Sequence, residues 1–194
     1  TLSTIGDEMT SREPGRPPTS SVSALEDAAT ELFLEQGFAN TSIDEIAQRA
    51  GISRATFFNY CTTKSDVLWV DSDRALRALE TTLQEGLSLG EALRRVAASH
   101  PRDRLPLVAT QSEAMGLGGE LAASAGVRIE RLRRSVLSAG VDPEDAWIVT
   151  GTLVGAVVGW ARTPSPREDL ASELDEHLRR IRGALGPQSV ATLF

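Results

Sequence analysis

The sequence is poor in the residues that most reactive chemistry needs. It has one cysteine, two histidines and two methionines in 194 residues, and aromatic residues make up only 5%. A lone cysteine, Cys61, excludes a disulfide within the chain and fits a reducing compartment. His100 and His177 lie far apart, with no cysteine or second histidine at ligand spacing from either, so no metal site is expected. No glycine-rich phosphate loop after a strand, nucleophile elbow or base–nucleophile pair is present, so catalysis has no support and no cofactor is implied. Asp71, Asp73 and Glu80 share one helix, an arrangement that usually marks a solvated face. Long apolar runs are missing as well. The most apolar stretch, 147–161, is interrupted by Thr150, Gly151, Thr152, Gly155 and Gly159, too polar for a membrane span. The start of the chain lacks the basic, apolar, small-residue order of a signal peptide. The expectation is a soluble, cytoplasmic protein without a membrane partner.

What is present is helical periodicity from about residue 21 onward, with no strand alternation and no internal repeat, so the expected fold is all-α. The chain is long enough to bury a proper core. Residues 1–20 hold Gly6, Pro14, Gly15, Pro17 and Pro18 among Thr, Ser and charges and read as a flexible arm. Its Pro-Gly-Arg-Pro-Pro run resembles arms that lie in a minor groove, which would make Arg12 and Arg16 its DNA contacts. A plain tail is the competing reading. Net charge is −7, unusual for a nucleic-acid binder, but Arg49 to Lys64 contains three cations and no acid. A small basic face on an acidic body can bind DNA, with salt-sensitive affinity.

The densest signal runs from Gly37 to Leu68. Ile43, Ile46, Ala47 and Ala50 recur at helical spacing behind a cap at Thr41 or Ser42. Gly51 supplies a turn, and Ser53 caps a second short helix carrying Phe57 and Cys61 inward. Two short helices around a glycine turn suit a helix-turn-helix. Gly37, Phe38, Thr41, Ser42, Ile43, Ile46, Ala47, Ala50, Gly51, Ile52, Ser53, Thr56, Phe57, Tyr60, Lys64, Asp66 and Leu68 fall in register with one family pattern. The run resembles the DNA-binding segment of TetR-family transcriptional regulators. Phe58 stands where that family usually has Tyr, and Cys61 where it has Phe.

The resemblance implies roles. Arg54 and Asn59 would face base edges, with Ala55 beside them. Thr41, Ser42, Ser53, Thr56, Tyr60 and Lys64 would bind phosphates, and Phe58 would pack on a sugar or a thymine methyl. It also implies three parts: an arm at 1–20, a DNA-binding head at 21–66, and a helical effector-binding and dimerisation body at 67–194.

Further helices are expected at 21–36, from Thr63 to about Gln84, Gly90–His100, about 105–115, 120–138, 142–162 and from Ser165 to about Leu185. By resemblance, Trp69, Met115 and Trp147 would surround the pocket of an unidentified, apolar or amphipathic effector, with Trp160 nearer a dimer seam. Gly151, Gly155 and Gly159 lie on one helix face and read as a packing seam. With Leu170, Leu174, Leu178 and Ile181 they would form the interface of a homodimer. Arg54–Tyr60 and Asp66–Asp71 further resemble the subset of TetR proteins found beside mycofactocin genes, which would make a long acyl thioester one candidate ligand.

The expected function is a homodimeric repressor that reads an inverted repeat in double-stranded DNA and is released by its effector. A transcriptional activator, a ligand-independent DNA binder and a helical small-molecule-binding module remain alternatives.

Overall fold

The computed structural model describes residues 18–100, 105–110 and 114–194. Arg12 and Arg16 therefore lie outside the described residues. Ten α-helices and two short 3-10 helices appear among those described, and no strand.

Three helices build the head: α1 (Pro18–Gln36), α2 (Ile43–Arg49) and α3 (Arg54–Tyr60). Leu25, Ala29, Leu32 and Phe33 of α1 meet Ile46 and Ala47 of α2 and Phe57 of α3, all buried. Gly37 ends α1 at φ +81° and Gly51 turns the chain at φ +68°, a region costly to any residue with a Cβ. Ser42 caps α2 through a full capping box with Glu45, and Ser53 caps α3 by accepting the Thr56 N–H. Burying side chains of this size stabilises by about 1.5–3 kcal/mol each, so Phe33, Phe57, Leu25 and Ile46 dominate the head's cohesion.

The head's core does not end at residue 66. Val67 and Leu68 belong to it, and so do Met115 and Leu117, which come from far along the chain. The Phe38 N–H donates to the Met115 carbonyl at 3.0 Å, tying the head to the segment before α7.

The single helix expected from Thr63 to Gln84 is two elements, a 3-10 helix at Lys64–Trp69 and α4 (Val70–Gln84). Next come α5 (Leu89–Ala98), α6 (Leu107–Thr110) and α7 (Gly118–Ser138), which begins two residues before the expected Glu120. The chain continues through α8 (Pro143–Arg162) and α9 (Leu170–Ile181) to α10 (Pro187–Leu193). The last helix was expected to start at Ser165. Instead Asp169 caps α9 by accepting the Ser172 N–H, and a separate α10 follows. Asp145 holds α10 by accepting the Gly186 N–H at 2.9 Å. Its end packs so closely on α5 that a Cβ at Gly90 would sit 2.1 Å from the Leu193 carbonyl oxygen.

Leu79, Leu89, Leu93, Val136, Val149, Leu153, Leu174 and Leu178 are buried together in the body core. This corrects one expectation. Leu174 and Leu178 face the inside of the subunit, and Leu170 and Ile181 pack against the same core, so α9's apolar stripe is not a free dimer surface. The stripe meets α5 and α8, which bring complementary apolar faces from the same chain. The glycine face of α8 is different. Gly151, Gly155 and Gly159 are exposed, and an added Cβ at any of them would meet nothing within 4 Å.

Candidate nucleic-acid interface

On α3, Phe57 is fully buried while Ser53, Arg54, Ala55, Phe58, Asn59 and Tyr60 are exposed and Thr56 is half-exposed. One inward aromatic fixes the helix, and the remaining face is left to solvent. Phe58 is 45% exposed and meets Phe57 edge-on with ring centres 5.4 Å apart. The Ser53 and Thr56 hydroxyls lie 2.9 Å apart, and the Thr56 N–H donates to Ser53 Oγ at 3.0 Å.

Two of the expected phosphate contacts already have partners within the head. Thr41 is only 3% exposed, and its hydroxyl donates to the Gly37 carbonyl at 2.9 Å and accepts from Gln36 Nε2. It closes the α1–α2 corner. Lys64 Nζ donates to the Phe38 and Thr41 carbonyls at 2.5 and 2.7 Å and lies 4.2 Å from the Phe38 ring centre. Burial pulls the Lys64 ammonium below its ordinary pKa, against the opposing fields of Glu120 and Glu45. Ser42 is exposed, but its hydroxyl donates to Glu45 Oε2 at 2.7 Å within the capping box.

The basic character of the stretch is likewise neutralised locally. Arg49 grips Glu35 through both terminal nitrogens and also reaches Glu31, bracing α2 against α1. Arg54 Nη1 donates to Asp44 Oδ1 at 2.6 Å, with its guanidinium 5.5 Å from the Phe58 ring centre. All three cations between Arg49 and Lys64 are thus partnered in the free protein. Of these ion pairs, only that of Arg54 lies on the α3 face. Such a pair is worth about 0–1 kcal/mol, less than the ~1–3 kcal/mol of a bidentate Arg–guanine contact. Arg54 can therefore exchange Asp44 for a base. Asp44 and the two acids on Arg49 had no local signal in the sequence, because their partners lie 10 to 18 residues away.

Cys61 caps α3 and is buried. Burial, with Asp66, Glu26 and Asp73 adding negative charge, pushes its thiol up to about 12, so it remains a protonated small hydrophobe at neutral pH.

Of the three residues expected to line one effector pocket, Met115 and Trp69 meet at the head core and Trp147 stands apart. Met115 is fully buried in the head core. Trp69 packs beside that core, its ring Nε1–H donating to Ser124 Oγ at 2.9 Å. Trp147 is 58% exposed on α8 with the Arg133 guanidinium 5.2 Å from its ring centre. Trp160 is buried against Ala109 and Ala161 within the subunit rather than at a seam. A cleft of about 500 Å³ opens elsewhere, between Phe38, Ala39, Lys64 and Ser65 of the head and Gly116, Leu117 and Glu120 before and at the start of α7.

Residues 25–68, covering α1 to the end of the buried Val67-Leu68 pair, match the family model of bacterial regulatory proteins, tetR family. This helix-turn-helix segment belongs to the tetR family. Over 83 residues the chain is 36% identical to the proposed mycofactocin biosynthesis transcriptional regulator MftR of Mycobacterium tuberculosis, spanning 41% of this chain and 42% of that protein. The chain thus matches less than half the length of that relative. Among solved structures, Thermus thermophilus FadR, a TetR-family transcriptional repressor in complex with lauroyl-CoA, is 26% identical. The overlay covers 85% of this chain and 95% of that one, with a TM-score of 0.48. SmeT, the repressor of the Stenotrophomonas maltophilia multidrug efflux pump SmeDEF, is 20% identical over 88% of this chain and 94% of its own, also at 0.48.

Proposed function

We propose that this protein is a sequence-specific DNA-binding transcriptional regulator that reads operator DNA with α3. The observation that carries the reading is the division of α3 itself, with Phe57 wholly inward and Arg54, Ala55, Phe58, Asn59 and Tyr60 outward. A helix so held enters a major groove without rearrangement. Arg54 leaves Asp44 and reads guanine, and Asn59 reads adenine. Ser53, Thr56 and Tyr60 hydroxyls bind phosphates and set the register. Phe58 packs on a thymine methyl or a sugar.

The regulator acts as a homodimer in which the exposed glycine face of α8 meets its copy, flanked by Trp147 and Ile148, which are exposed in the single chain. Small residues allow two helices to approach closely, and two-fold symmetry presents two α3 helices about one helical turn apart on an inverted repeat. Repression relieved by an apolar or amphipathic effector is the accompanying reading. The 500 Å³ cleft between head and α7 offers a place where an occupant would touch both units. The name of the 36% identical relative makes mycofactocin biosynthesis genes the first candidate targets.

The test is selection of bound fragments from random duplex DNA at two salt concentrations, with wild type and Arg54→Ala. An inverted repeat enriched by the wild type, with one base position relaxed in the variant, is the expected outcome. Unpatterned binding that salt abolishes equally in both proteins would remove α3 from sequence reading.

A further inference from the structure

The end of α3 is held by a residue that is held in turn by the body. Cys61 closes α3, and the next two backbone N–H groups, of Thr62 and Thr63, both donate to Asp66 Oδ2 at 3.1 and 2.8 Å. The other oxygen of the same carboxylate accepts from Arg128 Nη2 at 3.1 Å. Arg128 belongs to α7, 62 residues further along the chain.

Its side chain is only 14% exposed, and almost every donor is used. Nε and Nη2 form a two-pronged pair with Asp73 of α4 at 3.0 and 2.7 Å, and Nη1 donates to the Ser124 carbonyl at 3.0 Å. The guanidinium also lies 4.9 Å from the Trp69 ring centre, and Trp69 donates to Ser124 Oγ. One turn along α7, Arg131 makes a second two-pronged pair, with Glu80 of α4 at 2.7 and 2.6 Å. A planar guanidinium fixed on three sides has one orientation, so the position of Asp66 follows that of α7.

We propose that Arg128 is a positioning residue for α3: through Asp66 it fixes the backbone at which that helix ends, so α7 sets the pose in which α3 meets DNA. The proposal rests on the DNA-reading role of α3 argued above. It goes beyond that role by naming the side chain through which the body governs the head. Asp73 contributes to the same cluster but touches no backbone at the end of α3, so it serves as the control. A purely structural clamp would depend on Asp73 at least as much as on Asp66.

Two measurements test this on the full-length chain. The first is peptide-resolved amide hydrogen exchange of the DNA-free protein across residues 54–63, for wild type, Arg128→Gln, Arg128→Lys, Asp66→Asn and Asp73→Asn. The second is affinity for a duplex selected by the wild type, against affinity for a random-sequence duplex. Charge-assisted hydrogen bonds of this kind make a loss of about tenfold the expected scale. Arg128→Gln and Asp66→Asn should speed exchange at 62–63 and weaken the selected duplex by that factor, leaving the random duplex nearly unchanged. Arg128→Lys should recover part of both effects, and it replaces Arg128→Gln as the test if that variant does not fold. Asp73→Asn should lower the melting temperature without speeding exchange at 62–63. Unchanged exchange there in Arg128→Gln and Asp66→Asn, or equal acceleration in Asp73→Asn, would overturn the proposal. If the wild type selects no sequence, the DNA-reading role falls, while the exchange data still decide whether Arg128 governs the end of α3.

Discussion

Replacing Lys64 by methionine separates two accounts of the same residue. If Lys64 belongs to the interior, its loss should appear as stability; if it grips a phosphate, as salt-dependent affinity. Its ammonium donates to the Phe38 and Thr41 carbonyls and lies over the Phe38 ring. A hydrogen bond to a charged group contributes about 1.5–3 kcal/mol, and a buried acceptor left unpaired costs about 1–3 kcal/mol. Against this, methionine keeps the stem's contact with Phe38 and removes a partly buried charge whose pKa is already pulled down by burial. The Phe38 carbonyl also retains the Thr41 N–H at 3.3 Å. The net expectation is a loss of about 2 kcal/mol, or roughly 4–8 °C in melting temperature for a chain of this size. Urea and thermal unfolding of Lys64→Met would measure it, alongside the salt dependence of DNA binding. A phosphate contact would instead leave stability unchanged and reduce the logarithmic salt slope by about 0.9. That second pattern would refute the interior assignment.

The open face of α8 makes Gly155→Leu informative. Nothing lies within 4 Å of an added Cβ in the single chain, so the fold should keep or gain stability, by up to about 1 kcal/mol from helix propensity. A dimer seam there should be forced apart, and sedimentation should show a monomer; a variant that stays fully dimeric would place the seam elsewhere. Acid titration addresses the clamp between α4 and α7. The Arg131 hydrogen bond holds the Glu80 carboxyl below its ordinary pKa, and at Asp66 the Thr63 N–H, Arg128 and the Thr63 hydroxyl outweigh the upward push of burial. Both groups bind fewer protons folded than unfolded, so the stability they contribute is present above about pH 4–5 and declines as pH falls through the folded values. Arg131→Met should flatten part of that decline in a urea midpoint series; an unchanged profile would show that Glu80 contributes nothing to it.

The signals that were legible in the sequence are short-range. Gly37 and Gly51 take positive φ, Ser42 and Ser53 cap, and Phe57 points inward, because each answers a demand set within about four residues. The same locality left distant partners out of sight. Thr41 and Lys64 stand at motif positions whose resemblance implied phosphate contacts, yet the Gly37 carbonyl claims one and the Phe38 and Thr41 carbonyls the other. The stripe on α9 has an interface's pattern, but periodicity gives only the direction of an apolar face, not the identity of what covers it. α10 lies beyond the helix end expected at about Leu185, where Asp145, 41 residues away, accepts the Gly186 N–H and another helix starts at Pro187.

The sequence by itself determined the helical class, the helix-turn-helix and its outward residues, since capping, turn and periodicity act over a few residues and do not depend on distant partners. Only the tertiary structure decided which charges are free. Arg54 faces Asp44 ten residues away, and Arg128 meets Asp66 across 62. An ion pair imposes no residue pattern on the chain between its members and so leaves no trace there. The residues that hold α3 in place therefore became visible only once α4 and α7 lay side by side.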